Sequence, residues 1–191
     1  MPKTYRNMTI EQVAAVIDHS VLKPDSLEAE IVAACQLAAE VQTATVCIRP
    51  MDVAVAAAIL EGSGVEVATV IGFPHGTTTT VTKVMETMEA IRDGAKELDM
   101  VLNISALLDG RYDVVQNDIT AVVKAAEGGR TDAVIKVIFE TGYLTPEQIA
   151  DACAMSEAAG AHFVKTSTGF GPRGASIEDI RLMHEQVGGR L

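Results

Sequence analysis

The texture of the chain changes at regular intervals, and this alternation limits its fold more than any other feature. Short β-branched runs at residues 16–22, 43–48, 65–73, 98–104, 133–139 and 162–167 read as strands. Longer segments with helical spacing lie between them, and several carry end signals. Asp25 with Glu28 reads as a capping box, and Ser176 with Asp179 opens the last helix. Thr145-Pro146-Glu147-Gln148 combines a cap, a proline at the first helical position and a returning side chain. Gly94 and Gly128-Gly129 follow helical stretches as stops. Six strands, most followed by a helix, imply a parallel sheet covered by helices. Strands that are apolar on both faces agree with that.

Two architectures satisfy this order: a (β/α) barrel and an open doubly wound sheet. Nothing resembles a linker or a charge block, so residues 1–191 are expected to form a single domain. A complete barrel of eight strands takes about 250 residues. Either way the class is α/β, and a barrel of this type would stop here about two strand–helix units short, after its sixth.

Composition narrows the class. Aromatic residues are 4% of the chain with no Trp, so the core has to be aliphatic. A formal net charge of −11 disfavours nucleic acid and anionic membranes as partners. No apolar run approaches the ~18 residues of a membrane span, and MPKTYRNMTIEQ lacks the apolar stretch of an export signal. Cys35, Cys47 and Cys153 are scattered and without C-x-x-C spacing, as reduced thiols would be. The expected location is the cytoplasm.

Three strands carry a charge inside an apolar run: Asp99 in Leu98-Asp99-Met100-Val101, Lys136 in Val134-Ile135-Lys136-Val137-Ile138, and Lys165 in Phe163-Val164-Lys165-Thr166. Such residues are almost never fully buried unless paired. A single one reads as a buried ion pair. Three on successive strands point to chemistry, because a stabilising core needs no charges. Burial and a neighbouring ammonium both lower the pKa of a lysine, and the neutral amine attacks carbonyls. A lysine set beside another, as Lys136 and Lys165 would be on one interior, thus becomes a reactive amine near neutral pH, and a carboxylate such as Asp99 can shuttle protons through water.

Weaker signals surround these. The turn Thr168-Gly169-Phe170-Gly171-Pro172-Arg173-Gly174-Ala175-Ser176 could cradle a phosphate on its backbone N–H groups with Arg173 as counter-charge, or could simply be a flexible entry to a helix. Gly72-Phe73-Pro74-His75-Gly76 reads as a helix entry. His19, His75, His162 and His184 show no metal spacing, and no metal site is expected. Cys47 and Asn103 sit late in their strands, where packing and turn bonding explain them as well as a pocket does. Glu86, Glu89, Arg92 and Asp93 read as a solvated helix face.

Ile17-Asp18-His19-Ser20-Val21-Leu22-Lys23-Pro24, Val70-Ile71-Gly72-Phe73-Pro74, Glu97-Leu98-Asp99-Met100-Val101-Leu102-Asn103-Ile104, Lys136-Val137-Ile138-Phe139-Glu140-Thr141 and Phe163-Val164-Lys165-Thr166-Ser167-Thr168-Gly169-Phe170 occur in this order. Together they closely resemble the class I deoxyribose-phosphate aldolases over essentially the whole chain. The resemblance implies a TIM barrel that reversibly cleaves 2-deoxy-D-ribose 5-phosphate to acetaldehyde and D-glyceraldehyde 3-phosphate, without metal or cofactor. It implies Lys165 as the Schiff-base lysine, Asp99 as the proton relay, and Lys136 as the support of that aspartate. Asp18, Cys47, Thr168 and Gly169 match positions near the substrate.

The family pattern continues with a seventh and an eighth strand, which carry a second active-site lysine and most of the phosphate-binding glycines and serines. Without them, exposed strand edges, weakened phosphate affinity and self-association into a homo-oligomer are expected, with Lys136 alone to activate Lys165. A non-catalytic barrel serving as a subunit or phosphosugar-binding module is the alternative reading.

Overall fold

A computed structural model describes residues 4–5 and 8–191. The segment read above for an export signal lies partly outside the described residues. Near the start, β1 (Thr4–Tyr5) and β2 (Met8–Thr9) pair antiparallel. Thr9 then caps α1 (Ile10–Ala14) in a reciprocal box with Gln12.

The rest of the chain alternates as its texture predicts. The strands are β3 (Asp18–Val21), β4 (Thr45–Ile48), β5 (Glu66–Ile71), β6 (Glu97–Val101), β7 (Val134–Ile138) and β8 (Phe163–Lys165). The helices are α2 (Glu28–Val41), α3 (Val53–Leu60), α4 (Thr80–Arg92), α5 (Ile104–Leu108), α6 (Tyr112–Gly129), α7 (Pro146–Ala158) and α8 (Ile177–Val187). Every strand from β3 to β8 pairs in parallel with its sequence neighbour, giving one six-stranded sheet in the order of the chain. This is the arc of a (β/α) barrel. Strand order in a doubly wound sheet would reverse partway across.

The sheet has two unlike faces because side chains alternate along each strand. Leu98, Met100, Ile135 and Val137 point outward into a continuous aliphatic layer under the helices, joined by Ile31, Ile119 and Val122. The concave face holds only a small apolar cluster of Cys47, Ala68 and Val70. Asp18, Glu97, Asp99, Lys136 and Lys165 project onto the same face. An ion pair of 2.7 Å from Asp18 on β3 to Lys136 on β7 crosses this interior. Strands four places apart in a sheet can touch in this way only if the sheet curls.

Helix ends follow sequence with two exceptions. Thr145–Gln148 and Ser176–Asp179 cap α7 and α8 as expected. Asp25 does not open α2. The chain turns after Pro24, with Ser26 N–H donating to the Lys23 carbonyl, and the helix starts at Glu28 with Glu30 accepting from the Leu27 N–H at 2.7 Å. Gly128-Gly129 does not end α6, which runs through Gly129. That glycine lies against Ile91 of α4, where a Cβ would come within 3.2 Å of Cγ2. Its missing side chain serves helix packing rather than termination. Among the described residues, no helix is long and apolar enough to cross a membrane.

Candidate active site

Strand register brings the three anomalous charges together. Asp99 and Lys136 are direct partners across β6 and β7, while Lys165 lies opposite Ile138, one inward position nearer the C-terminal ends of the strands. Lys136 therefore sits deeper, Lys165 sits higher, and the carboxylate of Asp99 spans between them. Asp99 Oδ2 accepts a short hydrogen bond from Lys165 Nζ, and its Oδ1 lies 3.5 Å from Lys136 Nζ. Lys136 is held by Asp18 Oδ2 at 2.7 Å and Glu97 Oε2 at 2.5 Å. Thr45 Oγ1 donates to the other oxygen of Asp18 at 2.9 Å. Three carboxylates thus surround two ammonium groups.

Burial grades across this network. The Asp99 side chain is 1% exposed, while that of Lys165 is 34% exposed and reaches a cavity of about 410 Å³. Asp18, Cys47, Thr168 and Gly169, the four residues expected near a substrate, also line this cavity. Phe73, Ser167 and Ala175 are among its other lining residues. It opens at the C-terminal ends of the strands, where catalytic groups of (β/α) barrels collect.

Protonation reverses one sequence expectation. Burial works to lower the pKa of Lys165, as does Lys136. The charge and hydrogen bond of Asp99 outweigh both, and the net shift is upward. Lys136 shifts the same way: burial opposes it, but Asp99, Asp18 and Glu97 prevail. Lys136 thus acts on Lys165 in the expected direction, but the carboxylates that surround the two amines hold the net shift upward. Asp18 is held below its ordinary value; burial opposes this, but bonds from Lys136 and Thr45 dominate. Burial, together with the charge of Asp99, pushes the Cys47 thiol up to about 12, so it lines the pocket as a neutral group.

Other candidates resolve locally. Arg173 is tied into its own turn: it donates to Asp179 at 2.5 Å and to the Thr141 carbonyl at 3.0 Å. Asn103 caps α5 by accepting from the Ala106 N–H at 3.1 Å. Glu86 is not merely solvated, since it accepts from the Gly72 N–H at 2.7 Å and anchors the end of β5. His75 borders a second cavity of about 340 Å³, lined mostly by apolar groups such as Ile104 and Leu108. The edge-to-face pair Phe73–Phe170, with centroids 5.5 Å apart, lies between the two cavities. Glu97 escaped notice as a site residue, although its spacing of two from Asp99 puts it on the same face. Among the described residues, no cluster of His, Cys, Asp and Glu could hold a metal ion.

Comparison with known proteins gives this arrangement a family. The profile of the DeoC/LacD family aldolases matches residues 12–190. A deoxyribose-phosphate aldolase of Staphylococcus epidermidis is 53% identical over 178 residues, which is 93% of this chain and 79% of that protein. The solved structure of QR15, an aldolase, superposes with a TM-score of 0.87 at 41% identity, covering 94% of this chain and 78% of the other. The tetrameric deoxyribose phosphate aldolase of Aeropyrum pernix gives the same TM-score of 0.87 at 27% identity, covering 94% of this chain and 74% of the other. On this evidence the chain belongs to the DeoC/LacD family of aldolases.

Proposed function

We propose that this protein is a Schiff-base aldolase that reversibly cleaves 2-deoxy-D-ribose 5-phosphate to acetaldehyde and D-glyceraldehyde 3-phosphate. The observation that carries this reading is the Lys165 amine, seated at the cavity on the buried carboxylate of Asp99. The relatives named deoxyribose-phosphate aldolase support the choice of substrate.

The residues suit the steps. Lys165 passes its proton to Asp99 along their hydrogen bond, and the neutral amine adds to the C1 aldehyde of the open-chain sugar. Loss of water gives an iminium, which keeps the positive charge beside Asp99. The C3 hydroxyl then loses its proton, and the C2–C3 bond breaks. Its electron pair enters the iminium to form an enamine, and glyceraldehyde 3-phosphate leaves. Protonation of the enamine carbon by water, relayed by Asp99, regenerates an iminium that water hydrolyses to acetaldehyde. Lys136 holds Asp99 from below, so that its carboxylate stays turned to the reacting side. Asp18, Cys47, Thr168 and Gly169 shape the space around the sugar.

Borohydride trapping with acetaldehyde followed by peptide mapping tests this. An ethyl adduct on Lys165 is expected. A folded protein that gives no adduct there sinks the reading. Three buried, unpaired cysteines support a cytoplasmic location. Exposed Phe163, Val16 and Ile17 near the two outer strands support self-association as a homo-oligomer, which light scattering over a range of concentrations would check.

A further inference from the structure

One buried acid has no part in these steps. Glu140 follows β7, is 1% exposed, and holds a left-handed backbone with φ of 56°, where residues other than glycine are uncommon. A buried carboxylate in a strained backbone is costly and persists where its surroundings require it. What Glu140 holds is Thr168. Its Oε2 accepts the Thr168 N–H at 3.1 Å and a short bond from the Thr168 hydroxyl. Thr168 Oγ1 in turn accepts the Phe170 N–H at 3.0 Å. Gly171 lies flat against the Glu140 carboxylate, so close that a Cβ there would collide with it. The other oxygen, Oε1, is buried with no hydrogen-bond partner among the described residues. A second tie runs beside the first, from Arg173 to the Thr141 carbonyl.

We infer that Glu140 is a positioning residue that clamps the loop after β8 by taking both donors of Thr168, and so fixes how that loop borders the Lys165 cavity. Thr168 thus lines the cavity with both of its donors committed to Glu140. Gly169 lines it too, and its N–H enters none of the backbone hydrogen bonds of turns and loops among the described residues, which leaves it as a donor the clamped loop presents. That a phosphosugar is what the loop meets rests on the aldolase reading. The clamp itself does not.

Two variants test it. Glu140→Gly removes the carboxylate while permitting the left-handed backbone, and Glu140→Gln keeps an acceptor. Hydrogen exchange at residues 168–171 should accelerate in Glu140→Gly with β6 and β7 unchanged. KM for deoxyribose 5-phosphate should rise roughly 10- to 100-fold, because a displacement of about 1 Å in a positioning element is enough for that. Acetaldehyde trapping on Lys165 should keep its rate, and Glu140→Gln should restore most of the KM. Unchanged exchange, unchanged KM, or trapping that falls in step with KM would overturn the clamp. Should Glu140→Gly not fold, Thr168→Val decides from the other side: it removes one donor with no change of backbone, and must also accelerate exchange in the loop. If the unaltered protein gives no adduct with acetaldehyde, the aldolase reading fails while the exchange result still judges the clamp.

Discussion

Two of the lysine–aspartate pairs inside this protein, Lys83–Asp118 and Lys165–Asp99, have opposite surroundings. Lys83 of α4 meets Asp118 of α6 at 2.5 Å, with side-chain exposures of 0% and 2%. Its amine also donates to the Val101 carbonyl at 2.9 Å, and the free oxygen of Asp118 accepts from Thr80 at 2.7 Å. This pair is sealed between helices and sheet, matched in charge and hydrogen-bonded on both partners. Lys165 and Asp99 make the same contact on the concave face, but the lysine opens onto a cavity and Asp99 Oδ1 has no hydrogen bond. Burial of a lysine beside an aspartate therefore does not mark a nucleophile. On the proposed aldolase reading, access and incomplete satisfaction are what set Lys165 apart.

The sharpest way to break the comparison is Lys165→Arg. The guanidinium keeps a positive charge for Asp99 but cannot form an imine. Borohydride adducts should vanish and kcat should fall by at least about 10⁴-fold, in keeping with loss of a covalent step. Retained turnover would mean that the open pair is as inert as the closed one.

Asp99→Asn comes next and separates activation from proton relay. Turnover should drop about 10²- to 10⁴-fold as the relay is lost. Trapping should respond the other way. Asp99 is what raises the pKa of Lys165 against burial and Lys136, so its neutral isostere leaves a larger fraction of free amine at neutral pH. In the unaltered protein, adduct formation should climb with pH by about one decade per unit while the amine remains mostly protonated. In Asp99→Asn, that rise should begin at lower pH. An unshifted profile would show that Asp99 does not control the lysine.

The same comparison explains what was legible in the sequence. Lys136 and Lys165 interrupt β-branched runs, so a place inside the fold could be expected for them, but period-two spacing works within one strand, and only the register between strands puts them and Asp99 on one face. The five motifs carried the family. Lys83 sits in Thr80-Val81-Thr82-Lys83-Val84-Met85-Glu86, where a helical lysine among polar neighbours looks solvated. Yet the buried face of α4 consists of Lys83, Thr87 and Ala90. A helix that hides a polar stripe gives no periodic signal, because polarity is what the pattern takes for exposure. Glu140 escaped for a related reason: at the end of a strand it reads as a solvated turn, and its partner is 28 residues away. The raised pKa of Lys165 was missed because lysine spacing can be read from sequence, but the number of carboxylates around each amine cannot.

Lys83→Met should cost about 3–5 kcal/mol in urea unfolding, since it strands Asp118 as an unpaired buried charge. Adding Asp118→Leu should recover much of that, because a buried ion pair replaced by apolar groups is often near neutral. Turnover per folded molecule should be retained in the double variant. A matching loss of activity would mean that the sealed pair also serves the site, through the Val101 carbonyl it holds.

The smallest effect is expected from Asp18→Asn, which weakens the tie from β3 to β7 across the interior. Charge-assisted bonds of this kind contribute about 1.5–3 kcal/mol. The pKa of Asp18 is lowered in the folded state. Its contribution should therefore be fully present above the ordinary carboxylate range and fade as pH falls through the lowered value. The difference in stability between Asp18→Asn and the unaltered protein should be constant near neutral pH and shrink in acid, by urea unfolding at each pH. A gap that persists in acid would show that the Asp18 side chain holds the curl of the sheet by something other than its charge. The bridge to Lys136 would then be incidental to the shape of the barrel, and the open network would differ from the sealed pair in chemistry alone.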